Sequence, residues 1–325
     1  MAADKHSRRS EHESDVSPNE AAGNGIAAGA PEQESFIERI AQQLSTSEVL
    51  SSIYHHGFEQ VPMPSTEVLS DISEELRAVL FPGYFGDPGI KDRLLHYHLG
   101  AILDNVYHQL SEQVRRGYCF ECGHRTTGMC NDCQVQAEDT VQQLIEQLPA
   151  IRHLLSTDAI AAYEGDPASQ SVGETIFSYP SLHALTNYRI AHVLYKLEVP
   201  LIPRIITEIA HSKTGIDIHP GARIDERCFI DHGTGVVIGE TSIIGKNVRL
   251  YQGVTLGARS FPLDENGKPI KGIDRHPILE DDVIIYSGAT LLGRIRIGKG
   301  SVIGGNVWLT EDIEPGTTIR ANFNH

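Results

Sequence analysis

From residue 218 onward, an aliphatic side chain returns at every sixth position. Ile218, Ile224, Ile230 and Val236 are six apart. Ile238, Ile244, Leu250 and Leu256 resume the spacing after a shift of two, and Leu279, Ile285, Leu291, Ile297, Ile303 and Leu309 carry it onward. Small or β-branched residues often stand four places after each, at Ala222, Thr234, Ser242, Val254, Val283, Ala289, Ser301 and Val307. A helix repeats near 3.6 and a strand at two, so neither sustains a period of six. A six-residue period with glycines at the turns describes a coil with three flat faces, whose aliphatic position points inward and stacks on the next coil. The spacing predicts a parallel β-helix of hexapeptide repeats over residues 213–325.

The repeat breaks once, at 258–277, where charges, glycines and prolines gather (Phe261-Pro-Leu-Asp-Glu-Asn-Gly-Lys-Pro269). This reads as a loop protruding from one coil, and long loops on a rigid scaffold commonly carry function. Upstream, the pattern is helical. Phe36, Ile37, Ile40 and Leu44 share a face, with Val49, Leu50 and Ile53 following. Further helices are predicted over 66–80, 91–116, 135–155 and 180–198, and another around Ile202, Ile205, Ile206 and Ile209. The expected fold class is α+β: an all-α domain at 34–212, then the β-helix domain at 213–325. Residues 1–33 are small, polar and charged and are expected to be disordered.

A length of 325 residues suits two folded parts. The net charge of −16 repels phosphate backbones and anionic lipid, so neither nucleic acid nor membrane is an expected partner. No stretch is apolar enough to span a bilayer, and no apolar run follows the basic residues near Met1, so a cytoplasmic location is expected.

Four of the five cysteines cluster, as Cys119-x-x-Cys122 and Cys130-x-x-Cys133. Four thiolates can close a tetrahedral zinc site, and a structural zinc is the favoured reading of this insertion at 119–133. Ordinary reduced cysteines on a helical hairpin, or a redox pair, are the alternatives. Cys228 reads as core, and Trp308 as a packing residue.

Three polar clusters interrupt the repeat: Asp217-Ile-His219-Pro220, Asp231-His232-Gly-Thr-Gly235 and Asp274-Arg275-His276-Pro277. Stacking coils have no use for Asp–His pairs. A histidine beside a carboxylate can act as a general base, the carboxylate stabilising the imidazolium that forms. An arginine binds a substrate carboxylate by a two-point contact. His219 is read as structural, and His183 and His192 as core or interface residues.

Together with Ile230-Asp-His-Gly-Thr-Gly-Val-Val-Ile-Gly-Glu240, Gln252-Gly-Val-Thr-Leu-Gly257, Asp166-Pro-Ala168 and His183-Ala-Leu-x-x-Tyr188-Arg-Ile-Ala-His192, these clusters resemble the serine O-acetyltransferase family. The resemblance covers about residues 160–310 closely. It implies a left-handed coil and transfer of an acetyl group from acetyl-CoA to L-serine, giving O-acetylserine for cysteine synthesis. By position, His232 is the implied base and Asp217 its orienting partner. Asp166 and Asp231 would hold the substrate ammonium, and Arg275 its carboxylate with His276 alongside. Gly257, Ala258, Ser287 and Gly305 are the implied CoA contacts, with Lys299 for a CoA phosphate; plain solenoid turns are the alternative for Gly257 and Gly305. The resemblance further implies trimers or dimers of trimers, with sites between subunits.

Three features depart from the family pattern: the four-cysteine insertion, the longer loop at 258–277, and an end at Asn322–His325 without the isoleucine-ended tail that docks into cysteine synthase. A cysteine synthase partner is therefore not expected, and inhibition by cysteine is left open. The rival readings are a hexapeptide acyltransferase acting on homoserine or a sugar, a γ-type carbonic anhydrase with three zinc-binding histidines, and a non-catalytic zinc-binding adaptor.

Overall fold

A computed structural model describes residues 35–46, 53, 61–122, 131–260 and 262–321. The expectations for residues 1–33, for Cys130 and for the end at 322–325 lie outside the described residues. The chain divides into two compact units, Met1–His55 and His56–His325. In the first, α1 (Phe36–Thr46) starts on a capping box: Glu38 N donates to Ser35 Oγ and Ser35 N donates to the Glu38 carboxylate, each at 3.1 Å.

The second unit opens with α2 (Thr66–Leu80), capped by Ser65 Oγ accepting from Val68 N at 3.3 Å. It buries Leu69, Ile72, Leu76 and Val79, the spacing of one helical face. Two long helices follow, α3 (Leu95–Cys122) and α4 (Asn131–Gly165). α4 outruns its predicted bounds at both ends, whereas α3 starts four residues later than predicted and outruns only its C-terminal bound; tertiary contacts hold these extensions. At the hairpin end, Tyr118 is buried and its hydroxyl lies 3.0 Å from Thr140 Oγ1. At the far end of α4, Ala159, Ala161 and Ala162 are buried and Gly165 packs on the Phe229 ring. A short helix, α5 (Val172–Ser178), escaped the sequence reading; its signal was Ser171, whose Oγ accepts from Glu174 N at 3.1 Å. Then come α6 (Pro180–Lys196) and α7 (Ile202–Thr214), the latter ended by Gly215 at φ +72°.

After Gly215 the chain coils through three parallel sheets, about five turns in all. Sheet 1 stacks β1 (Asp217–Ile218), β4 (Val237–Ile238), β7 (Thr255–Gly257), β10 (Thr290–Leu292) and β13 (Trp308–Leu309). Sheet 2 stacks β2 (Arg223–Ile224), β5 (Ile243–Ile244), β8 (Ile278–Leu279) and β11 (Arg296–Ile297). Sheet 3 stacks β3 (Phe229–Asp231), β6 (Arg249–Tyr251), β9 (Ile284–Ile285), β12 (Val302–Ile303) and β14 (Thr318–Ile319). The period-six residues fall in register, Ile218 on Ile238 on Leu256, and Ile230 on Leu250 on Ile285. All of these are buried, each contributing about 1.5–3 kcal/mol by leaving water. Trp308 stands on the outer face of sheet 1 and is 67% exposed within this chain.

Helices and solenoid share one hydrophobic core, so the boundary at 212/213 is a change of secondary structure within one unit. Polar anchors fasten them together. Tyr188 on α6 donates to Ala222 O at 2.7 Å and accepts from Ile224 N at 3.1 Å. Arg189 makes a two-point pair with Asp158 of α4 at 2.8 and 3.0 Å and donates to Ile224 O and Asp225 O; Cys228 N in turn donates to Asp158. The first coil therefore docks on α4 and α6 through satisfied, buried groups. Among the described residues, no helix is long and apolar enough to cross a membrane.

Candidate active site

The sheets place the polar clusters on the corners of the coil. Eight positions separate Phe229 from Val237, whereas six separate their register partners, Arg249 and Thr255. The two additional residues in the corner between sheets 3 and 1 push His232 outward, and its side chain is 70% exposed. This is the two-residue shift in the sequence period. His232 holds a left-handed φ of +56°, which costs a non-glycine residue roughly 1–2 kcal/mol and persists only where neighbours enforce it. Gly233 does so here. Its φ is +79°, its N–H donates to Asp231 O at 2.6 Å, and a Cβ there would sit 2.4 Å from Ile216 Cδ1.

Around His232 stand the carboxylates expected to hold an ammonium. Asp231 Oδ2 lies 3.8 Å from His232 Nε2. Asp166, from the turn after α4, accepts from Tyr179 OH at 2.5 Å and from Ala168 N at 2.8 Å. The Tyr179 hydrogen bond, the Ala168 amide and the nearby His232 hold the Asp166 carboxyl below its ordinary range. Burial and the same bond push the Tyr179 phenol up to about 12. Tyr251 is the register partner of Asp231, and its ring stacks on Tyr286 with centroids 5.0 Å apart. The sequence reading missed Tyr179 and Tyr251.

A second group occupies the corner between sheets 1 and 2. His219, Glu240 with Thr241, and Arg275 with His276 follow one another up successive coils. Thr241 gathers the returning end of the loop: Arg275 N and His276 N both donate to its Oγ1, at 2.9 and 3.1 Å. Arg275 pairs with Glu240 at 2.6 Å, and Glu240 also accepts from Tyr195 OH at 3.1 Å. Despite its burial, Glu240 is held below its ordinary range by the Arg275 and Tyr195 hydrogen bonds. It was quoted in the sequence motif without a role, and the structure makes it the immediate partner of Arg275. His276 is buried and accepts from Thr241 N at Nδ1, which leaves its proton on Nε2. Burial, then the charge of Arg275, lowers the His276 ring to about 4, so it is neutral at physiological pH. His219 is likewise lowered by burial and accepts from Gly221 N, in keeping with a structural role. The loop at 258–277 forms a small hairpin, with a bridge between Leu263 and Pro269 and Asp264 accepting from Asn266 N and Lys268 N.

Within one chain, these groups stand on two corners, and Asp217 does not orient His232. Asp217 opens β1, and its ion pair is with Arg204 at 3.9 Å, whereas that of His232 is with Asp231. The residues expected at CoA also divide. Ser287 and Gly305 lie on the His232 corner, higher up the coil; a Cβ on Gly305 would stand 3.1 Å from Ser287 O. Gly257 ends β7 and Ala258 begins the loop. Lys299 is on the third corner, between sheets 2 and 3, with Asp281 and Asp282 at 3.7 and 3.6 Å from its ammonium. Sequence position could not show that separation.

A parallel solenoid docked on a helical bundle, with an exposed histidine among carboxylates on one corner and an arginine–histidine pair on the next, defines a hexapeptide-repeat acyltransferase. No family model matches the chain. A serine acetyltransferase of Synechococcus elongatus, plasmid-encoded, is 53% identical over 262 residues, covering 79% of this chain and 82% of the relative. The serine acetyltransferase of Bacillus licheniformis is 46% identical over 51% of this chain and 73% of its own length. Entamoeba histolytica serine acetyltransferase 1, solved in complex with L-cysteine, superposes with a TM-score of 0.66 at 36% identity, over 86% of this chain and 96% of that one. Soybean serine acetyltransferase complexed with serine gives 0.51 at 29% identity, over 81% and 98%. The chain belongs to the serine acetyltransferase family and is an acyltransferase enzyme.

Proposed function

We propose that the protein transfers the acetyl group of acetyl-CoA to the hydroxyl of L-serine, yielding O-acetyl-L-serine and CoA, a step toward cysteine. The observation that carries this reading is the pairing of opposite charges on two corners. Asp166 and Asp231 suit an ammonium, and Arg275 suits a carboxylate, which together match a zwitterionic amino acid rather than a sugar. His232 takes the proton of the serine hydroxyl as its oxygen attacks the thioester carbonyl. The tetrahedral intermediate then collapses, the carbon–sulfur bond breaks, and the imidazolium returns its proton to the CoA thiolate. Gly257, Ala258, Ser287 and Gly305 are the proposed contacts for the CoA arm; Lys299, committed to Asp281 and Asp282 on another corner, is left out of that set.

The two half-sites suit completion by a second copy, whose Asp217, Arg275 and His276 would face Asp166, Asp231 and His232. Contact between two different corners is heterologous, and a heterologous contact that closes generates a ring. A cyclic homotrimer is the assembly proposed. The four cysteines are a separate proposal, a structural zinc site. Cys119 on α3 and Cys133 on α4 come to the same end of the helical hairpin, both buried, with Arg115 beside Cys119.

The test is CoA release with L-serine, homoserine and sugar acceptors. Turnover of serine is expected, and its loss in His232→Ala by roughly 10²–10⁴-fold with CoA binding retained. Absence of serine turnover in the unaltered protein would sink the reading.

A further inference from the structure

The last turn of α7 and the first rung of the solenoid hold a ligand set that joins Asp217 to two residues the transfer reaction does not use, Glu208 and His211. Glu208 and His211 are three residues apart, so they share one face of the helix end. Asp217 follows two residues after Gly215, the left-handed residue that ends the helix. A Glu208 carboxylate oxygen, a His211 ring nitrogen and an Asp217 carboxylate oxygen all lie within 4.8 Å of one another. His211 Nδ1 and Glu208 Oε2 are 3.2 Å apart. Ligands at 2.0–2.2 Å from a tetrahedral ion stand roughly 3.4 Å from each other. Closing the set therefore needs shifts of about an ångström, within reach of side chains that are 41% and 46% exposed for His211 and Glu208.

Electrostatics favour a cation at this point. The carbonyl end of α7 adds partial negative charge to the two carboxylates. Lys213 is drawn away to Glu74 at 3.0 Å. Arg204 is the cation now at the site, paired with Glu208 and 3.9 Å from Asp217. It is half-exposed, and such pairs are worth only about 0–1 kcal/mol, so a dication displaces it at little cost. One imidazole and two carboxylates select a borderline transition ion over magnesium or calcium, which prefer oxygen ligands alone.

We propose that Glu208, His211 and Asp217 bind a transition-metal dication, zinc foremost, and that its binding inhibits acetyl transfer by withdrawing Asp217 from the substrate site. The binding stands on the geometry alone; the inhibition rests on the role given to Asp217 under the proposed function.

The test uses the full chain, stripped with a chelator and dialysed against set concentrations of free Zn²⁺. Bound metal is counted and serine-dependent CoA release is measured. The comparison proteins are His211→Ala and Glu208→Gln, neither of which is in the transfer machinery. Zinc held by the cysteine cluster is common to all three proteins and cancels. The unaltered protein is expected to bind one more zinc than either variant. All three turn over alike without zinc, and the variants need roughly tenfold more zinc, or beyond, for half-inhibition. Equal zinc counts in the unaltered protein and both variants overturn the site. A count that differs while zinc sensitivity is equal overturns the inhibition. If serine is not a substrate at all, the proposed function fails while the zinc count still decides the site.

Discussion

Removing the carboxylate of Asp158 should unfasten the solenoid from its helices. That side chain is wholly buried, and Arg189 opposite it is 3% exposed, so neither charge has water to fall back on. Asp158→Ala leaves a buried guanidinium without its counter-ion, a loss of about 3–5 kcal/mol. It also takes the acceptor from Cys228 N, the amide that leads into β3 and so toward Asp231 and His232. Replacing a buried pair by apolar residues of similar size is often close to neutral. Here Asp158→Leu with Arg189→Met would strand Ile224 O, Asp225 O and Cys228 N, each costing about 1–3 kcal/mol if it stays buried. Both variants are therefore expected to be less stable than the unaltered protein, the double variant by about as much as the single one. Thermal melting followed by circular dichroism, at one protein concentration, reads the difference; a fall on the order of 10 °C is expected for Asp158→Ala. Melting of the single variant within about 2 °C of the unaltered protein would refute the reasoning, as would a double variant that melts normally.

Three further outcomes follow from the site. Tyr179→Phe removes the 2.5 Å hydrogen bond from Asp166, so its carboxyl rises toward its ordinary range; the acid limb of kcat/KM for serine should move to higher pH, and an unmoved limb counts against a role for Asp166. Gly233→Ala forces a Cβ onto Ile216 and displaces His232, so kcat should fall roughly hundredfold, and normal kcat would show that the corner's shape is unimportant. The folded His276 ring stays neutral down to about 4, while the unfolded ring binds a proton near its ordinary 6.5. The unfolded state thus takes up more protons in that window, and stability falls as pH drops from about 6.5 to about 4. His183, lowered to about 4 by burial and the charge of Arg77, adds to the same trend. Melting at pH 5 should lie below melting at pH 7, with a smaller gap in His276→Asn; an unchanged gap would remove His276 as a cause.

The period of six residues determined the solenoid by itself, because each rung is built from neighbours in the chain and repeats its own geometry. The repeat also set His232 apart, because stacking coils have no use for an Asp–His pair; the register of β3 and β4 then showed its corner to be two residues too long for its coil, with the surplus turned outward. The interruption at 258–277 announced the loop by breaking the period. Tertiary structure decided everything that depends on which rung lies over which. Glu240 meets Arg275, 35 residues away, only because the loop returns one coil above it. Asp166 gains Tyr179 through α5, a helix of seven residues too short to show a period. Stacking also sent Lys299 to a different corner from Ser287 and Gly305, and set Asp217 beside Glu208 and His211. A linear pattern records spacing along the chain. The charge pairs of this site are set by spacing across it, and that is fixed by the number of residues spent in each coil and loop between them.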